Sequence, residues 1–411
     1  MDIFNRFRIF YKNISVVLFT VFIIFLALNA IAFITLYVMK KFGKESSFPK
    51  NIYTQSFITP RGEIKIDSGY ISEVYQDFKS YYENESHGYR YHPVIEYTSC
   101  LVKSKHLNVI QEKFDIPRRI TLPYTANPTD SLITIYCFGG SSTFGWLVSD
   151  EHTWPSLLMK KCREVYPGKN IITVNYGSVG FSPSQETDLF IQLLKLGHKP
   201  SLCIFMDGVN TGPVWDCSEL SRQISAAYRN TNPGLLNTFL SSLPATRLIF
   251  SLIQGQGGYS DDSLIFPLEY TSSYNQMILN RFEYNAKTRK AIAELNHIPI
   301  LQFLQPAIWN TDPNYRYRKL IPKDFRDSPR YNNDNSNYRI LYSDLKNSES
   351  GFIDLTNTIY SYPDLPFIDW CHYSPNFNQH LADTLISFMD IGRLVKTNKK
   401  ESSATGISYD K

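Results

Sequence analysis

Residues 14–39, ISVVLFTVFIIFLALNAIAFITLYVM, contain no charged side chain. About 20 consecutive apolar residues suffice for a helix to cross the hydrocarbon layer of a bilayer, so this run is long enough. A cleaved leader would instead carry an apolar stretch of roughly 7–15 residues with small residues at the cut. Ala30-Ile31-Ala32 imitates such a cut, but FITLYVM continues the run beyond it. The sequence therefore predicts an uncleaved single-pass membrane helix over 13–40. Arg6, Arg8 and Lys12 flank one end and Lys40, Lys41 and Lys44 the other, so the positive-inside count is a tie. The orientation adopted places residues 1–12 in the cytoplasm and the rest of the chain outside it. No second run of comparable length follows, so everything after about residue 45 is expected on one side of the membrane.

A chain of 411 residues allows two or three domains and a sizeable core. A net charge of only +4 gives no reason to invoke nucleic acid. The six cysteines form no C-x-x-C pair, which argues against a zinc ribbon or a thioredoxin-like site. Cys137 and Cys203 lie in apolar, strand-like runs and read as small buried hydrophobes.

Residues 45–130 read as a juxtamembrane segment and irregular preamble, with short strand-like pieces such as LNVIQEKF. A regular alternation then begins. The β-branched and aromatic run SLITIYCF (131–138) predicts a strand, and TWPSLLMKKCREVY (153–166) a helix. NIITVNY (170–176) is a second strand. SPSQETDLFIQLLKLG (182–197) is a helix with Ser182 and Gln185 as a capping box, Pro183 at its first position and Gly197 beyond its end. SLCIFMDG (201–208) is a third strand, 277–296 a helix, 298–306 a fourth strand and 351–356 a fifth. Residues 374–391 repeat the Ser-Pro helix start. An insertion over 211–270 and a disordered tail over 395–411 complete the organisation. Strands alternating with helices predict a three-layer α/β/α parallel sheet of the flavodoxin-like kind. In such sheets, ligand sites collect beyond the carboxyl ends of the strands. Three loops fall there: GGSSTFG, YGSVGFS and DGVNTG.

The first of these loops follows an apolar strand with glycines and hydroxyls, which suits a phosphate cradle, a nucleophile on a turn, or a plain turn. Neither GxxxxGK[ST] nor GxGxxG fits after Gly139, and GxSxG fits neither Ser141 nor Ser142. What remains is a serine at a strand end beside glycines that let backbone approach closely. Near the other end of the chain, FIDWCHYSP places Asp369 three residues before His372, ahead of a helix start. Nucleophilic serine chemistry needs a base for the hydroxyl and a group to orient that base.

Four spaced blocks resemble the SGNH (GDSL-like) hydrolase superfamily, in its bacterial membrane-anchored form. Gly139-Gly140-Ser141 matches the first block, and Asn175 to Gly180 the second. Gly208-Val209-Asn210 matches the third, and Asp369 with His372 the fourth. The resemblance covers roughly residues 130–392, so that 131–392 is expected to be the SGNH hydrolase-like domain. It departs from the family where Gly140 and Thr211 stand in place of aspartates. The resemblance implies Ser141 as nucleophile, His372 as base and Asp369 as its orienting partner. It also implies an oxyanion hole from the backbone N–H of Ser141 and Gly180 and the side-chain amide of Asn210.

No metal or cofactor is implied, because His87, His92, His106, His152, His198, His297 and His380 show no ligand spacing. Asp207 reads as a solvated carboxylate at a strand end. The function implied is a membrane-anchored ester hydrolase acting on acyl esters, O-acetyl esters among them, carried by cell-surface glycans or lipids. Two alternatives stand beside it: an O-acyltransferase using the same triad, and a catalytically silent glycan-binding or assembly domain. The aromatic-rich insertion fits either a lid or sugar-stacking wall, or a plain decorating loop.

Overall fold

In the computed structural model the described residues are 2–42, 68–82, 88–112, 115–122, 132–211, 243–246, 248–249, 272–308, 315, 340–347, 351–368 and 371–391. Most of the expected insertion, the tail and Asp369 lie outside them. Two compact units are present: Met1–Ser47 with Ala226–Leu268, and Phe48–Ser225 with Glu269–Lys411. In the first, α1 (Asp2–Phe42) contains Phe10–Val38, a stretch of 29 residues long and apolar enough to cross a membrane.

Among the described residues, the second unit is built on an eight-stranded sheet. Its parallel part comprises β6 (Leu132–Gly139), β7 (Asn170–Asn175), β8 (Leu202–Asp207), β9 (Ile300–Leu304) and β10 (Ile353–Asp354). These lie in the order β10-β9-β8-β6-β7, with every adjacent pair parallel. Counted along the chain this is the 2-1-3-4-5 order of flavodoxin-like sheets, whose direction of winding reverses between β6 and β8.

Side chains alternate across the strands, so each strand feeds two cores. Ile133, Ile135 and Cys137 of β6 and Ile204 and Met206 of β8 face one layer. There they meet Trp154, Leu157, Leu158 and Cys162 of α4 (Trp154–Val165), and Phe377, Leu381 and Leu385 of α7 (Pro375–Leu385). Tyr136, Phe138, Cys203 and Phe205 face the opposite layer. Leu189, Phe190 and Leu193 of α5 (Pro183–Lys195) and Ala293 of α6 (Ser272–Leu295) cover that side. Phe138 stacks on Phe205 at 4.6 Å between centroids and is fully buried. A side chain of this size contributes about 1.5–3 kcal/mol on burial. Burial raises the thiol pKa of both Cys137 and Cys203, as expected of inert core sulfurs.

The helix starts follow local chemistry. The Ser182 backbone N–H donates to Gln185 Oε1 at 2.9 Å, with Pro183 at the first position. Ser374 Oγ accepts from the Phe377 N–H at 3.2 Å at the start of α7.

The sheet is mixed rather than wholly parallel, because the segment read as an irregular preamble extends it. β3 (Val102–Lys103), β4 (Asn108–Ile110) and β5 (Arg118–Arg119) continue beyond β7 as antiparallel strands. A hairpin of β1 (Tyr89–His92) and β2 (Glu96–Ser99) precedes them. Val74, Phe78 and Tyr81 of α2 (Ser68–Tyr82) join Leu107, Val109, Phe144, Trp146, Leu147 and Val148 in a third apolar cluster.

Candidate active site

The winding reverses between β6 and β8, the place in such sheets where ligand sites collect at the strands' carboxyl ends, and two of the expected blocks begin there. β6 ends at Gly139, and Ser141 opens the single-turn helix α3 (Ser141–Phe144). The Gly140 carbonyl accepts from the N–H groups of Thr143 and Phe144 at 3.1 and 2.9 Å. The Ser141 carbonyl accepts from Gly145 and Trp146, both at 2.9 Å. Asn175, at the end of β7, closes the turn from the side. Its Nδ2 donates to the Thr143 carbonyl and its Oδ1 accepts from the Gly177 N–H, each at 2.9 Å.

The histidine arrives from the opposite end of the chain. Phe367 and Tyr373 form an antiparallel bridge. The Ile368 N–H donates to the His372 carbonyl and the Ser374 N–H to the Pro366 carbonyl, both at 2.8 Å. Tyr373 Oη donates to the Pro306 carbonyl at 2.9 Å, fastening this loop to the chain that follows β9. The result is a hydrogen bond of 2.7 Å between His372 Nε2 and Ser141 Oγ. The hydroxyl is mostly buried, with Ser141 9% exposed.

No family model matches the chain, and no curated protein matches it. Among solved structures, the chain is similar to the acetyl xylan esterase AlAXEase at 15% identity and a TM-score of 0.34, over 62% of this chain and 100% of that one. It is similar to TesA at 13% identity and a TM-score of 0.34, over 62% and 98% of the two chains. A third similar structure is a variant of Axe2, an acetyl xylan esterase from Geobacillus stearothermophilus. That match has 14% identity and a TM-score of 0.32, over 65% and 95% of the two chains.

Asn210 lies just past β8, with its Nδ2 donating to the Phe181 carbonyl at 2.8 Å. Phe181 follows Gly180, a left-handed residue at φ +75°. A Cβ built on Gly140 would lie 2.2 Å from Asn210 Nδ2 and 3.2 Å from the Phe181 carbonyl oxygen. The amide nitrogen of Asn210 therefore rests against the backbone just before Ser141. The absence of a β-carbon at Gly140 leaves room for it. Ser141, Gly180 and Asn210 thus belong to three loops tied together through Asn210. His372 joins them through Ser141, and Asp369 lies outside the described residues.

Asp207 differs from its sequence reading. It is not solvated but 2% exposed. Arg289 of α6, itself fully buried, donates to it through Nη1 and lies 4.3 Å above the Phe205 ring. Arg289 also donates to Thr187 Oγ1 at 2.9 Å and to the Pro183 carbonyl at 2.7 Å. Glu186 completes the cluster. Burial, then the negative charge of Asp207 and a hydrogen bond with it, push its carboxyl well above the ordinary range. A buried carboxyl pair sharing one cation holds a proton in this way. The cluster fastens α5 and α6 to the end of β8, three residues before Asn210.

Two residues of the site have contacts that the sequence did not mark. Trp146, in the loop after α3, places its ring 6.1 Å from the His372 ring. Ser142 Oγ donates to the Cys371 carbonyl at 3.2 Å and accepts from Gln305 Nε2 at 3.4 Å. A second serine beside the first is visible in the sequence, but its acceptor lies 229 positions away.

Proposed function

We propose that the chain is a membrane-anchored serine ester hydrolase of the SGNH type, acting on acyl esters of cell-surface glycans, O-acetyl esters among them. The observation that carries this reading is the 2.7 Å contact between Ser141 Oγ and His372 Nε2. A neutral imidazole with its proton on Nδ1 presents Nε2 as the acceptor. The hydroxyl then has a base within transfer distance. Asp369, three residues earlier, is the group proposed to orient the ring and to stabilise its protonated form.

The Ser141 oxygen attacks the ester carbonyl carbon while its proton passes to His372 Nε2. The carbonyl π bond breaks, and its electron pair moves onto oxygen. The first amides of a helix have no intrahelical acceptor, and the Ser141 N–H is such a group. An Asn amide has two N–H bonds, and only one of those of Asn210 is needed for Phe181. With the Gly180 N–H, these donors would hold the oxyanion. Collapse expels the alcohol oxygen, which takes the proton from His372 and leaves acyl-Ser141. Water, deprotonated by the same histidine, then releases the acid.

The apolar stretch of α1 supports anchorage, and the orientation adopted puts the sheet-bearing unit outside the cytoplasm, where glycan esters are found. The test is to trap the intermediate. The full chain in detergent is mixed with an activated acetyl ester, quenched in acid and digested for mass spectrometry. Acetylation is expected on the peptide containing Ser141, and acetylation that leaves this peptide unmodified contradicts the reading. Transfer of the acyl group to added xylo-oligosaccharide faster than to water would redirect the assignment to an acyltransferase.

A further inference from the structure

Resting on the reading of Ser141 as nucleophile, we propose that Arg119 is a positioning residue, a five-point clamp that holds the nucleophile turn in register with its base. Arg119 is 1% exposed. Its Nη1 donates to the carbonyls of Phe144 and Gly145 at 2.6 and 2.5 Å. Its Nη2 donates to the carbonyls of Val148 and His106 at 2.6 and 3.3 Å. Its Nε donates to Asp150 Oδ1 at 2.7 Å. A guanidinium has five N–H donors in a rigid plane, and here each has an acceptor.

Three of the five acceptors are carbonyls at and just beyond the end of α3. The last carbonyls of a helix lack intrahelical donors and favour a cation. Asn175 satisfies the Thr143 carbonyl, and Arg119 satisfies the two that follow. The backbones of Arg119 and Asn175 are themselves paired in the sheet. Gly145, at φ +84°, turns the chain so that its carbonyl meets the guanidinium. Between the clamped carbonyls of Gly145 and Val148 lies Trp146, the residue whose ring faces His372. One side chain thus fixes both the helix that begins with Ser141 and the ring beside its base. The Phe78 and Phe144 rings flank the guanidinium at 5.4 and 5.0 Å, and the Asp150 carboxylate balances its charge. Lysine could supply the charge but not the planar set of donors.

The experiment measures the rate at which a fluorophosphonate probe labels the full-length protein in detergent, alongside kcat and KM for p-nitrophenyl acetate. Each variant is assayed well below its own Tm. Arg119→Lys is expected to lower the labelling rate and kcat together by about 10–100-fold, with KM nearly unchanged. Small displacements of reacting groups have effects of this size. Asp150→Asn, which keeps the arginine but weakens its Nε arm and the carboxylate's bonds from Asn108, is expected to lower both by a smaller factor. It decides alone if Arg119→Lys does not fold. A folded variant that labels at the parent rate overturns the proposal. So does one that loses only its fraction of labelable sites while the remainder react normally, since that is the mark of a role in folding alone. If the parent itself is not labelled, or Ser141→Ala is labelled equally, the reading of Ser141 fails and the clamp proposal falls with it.

Discussion

Ser142 Oγ donates to the backbone carbonyl of Cys371 at 3.2 Å, joining the Ser141 turn to the residue just before His372. The hydroxyl next to Ser141 is therefore a brace between the two halves of the site. Ser142→Ala removes it and leaves a buried carbonyl one donor short. The expected cost is about 0.5–1.5 kcal/mol of stability. A fall in kcat larger than any rise in KM should accompany it. Thermal unfolding and ester kinetics check both, and unchanged kcat in the folded variant would count against the brace.

Gly140 lies against the Asn210 amide, which leaves no room for a β-carbon. Gly140→Ala is expected to push Asn210 away and lower kcat by about 10²-fold, within the range for losing one oxyanion donor. Asn210→Ala should do the same, and the double variant should lose little more than either single one. Multiplicative losses in the double variant would show that the two substitutions act separately.

Glu186 supplies a pH signature. Its raised value means that the folded chain keeps a proton that the unfolded chain has released. The group's contribution to stability is complete below its unfolded value of about 4.5 and declines as pH rises toward the folded value. Glu186→Gln lacks this titration. The difference in Tm between variant and parent should shift in favour of glutamine as pH is raised from about 5 to about 8. A difference that stays flat, or moves the other way, contradicts the burial of a protonated Glu186.

The parallel half of the sheet was legible because each of its longer strands is a short apolar run bounded by turn residues, with capped helices between them. Length limited the rest. β3 and β5 are two residues each and β4 three, too short to show a period of two. Of the antiparallel extension only β4 left a trace, inside the strand-like piece LNVIQEKF. Ser141 and His372 could be nominated because their blocks have a recognisable spacing, and the structure places the two side chains in contact. Arg119 could not be nominated. Nothing in IPRRIT marks it, and its burial depends on carbonyls 25–29 positions further along the chain. Asp207 reads as solvated for the same reason, since the arginine that covers it lies 82 positions away.

The most direct measurement is kcat/KM for p-nitrophenyl acetate with the full-length protein and its Ser141→Ala, His372→Ala and double variants. Groups that act as one unit fail as one unit. Each single variant should therefore lose at least about a thousandfold, and the double variant no more than either. A Ser141→Ala variant that hydrolyses the ester at the parent's rate would contradict the assignment of this serine as the nucleophile.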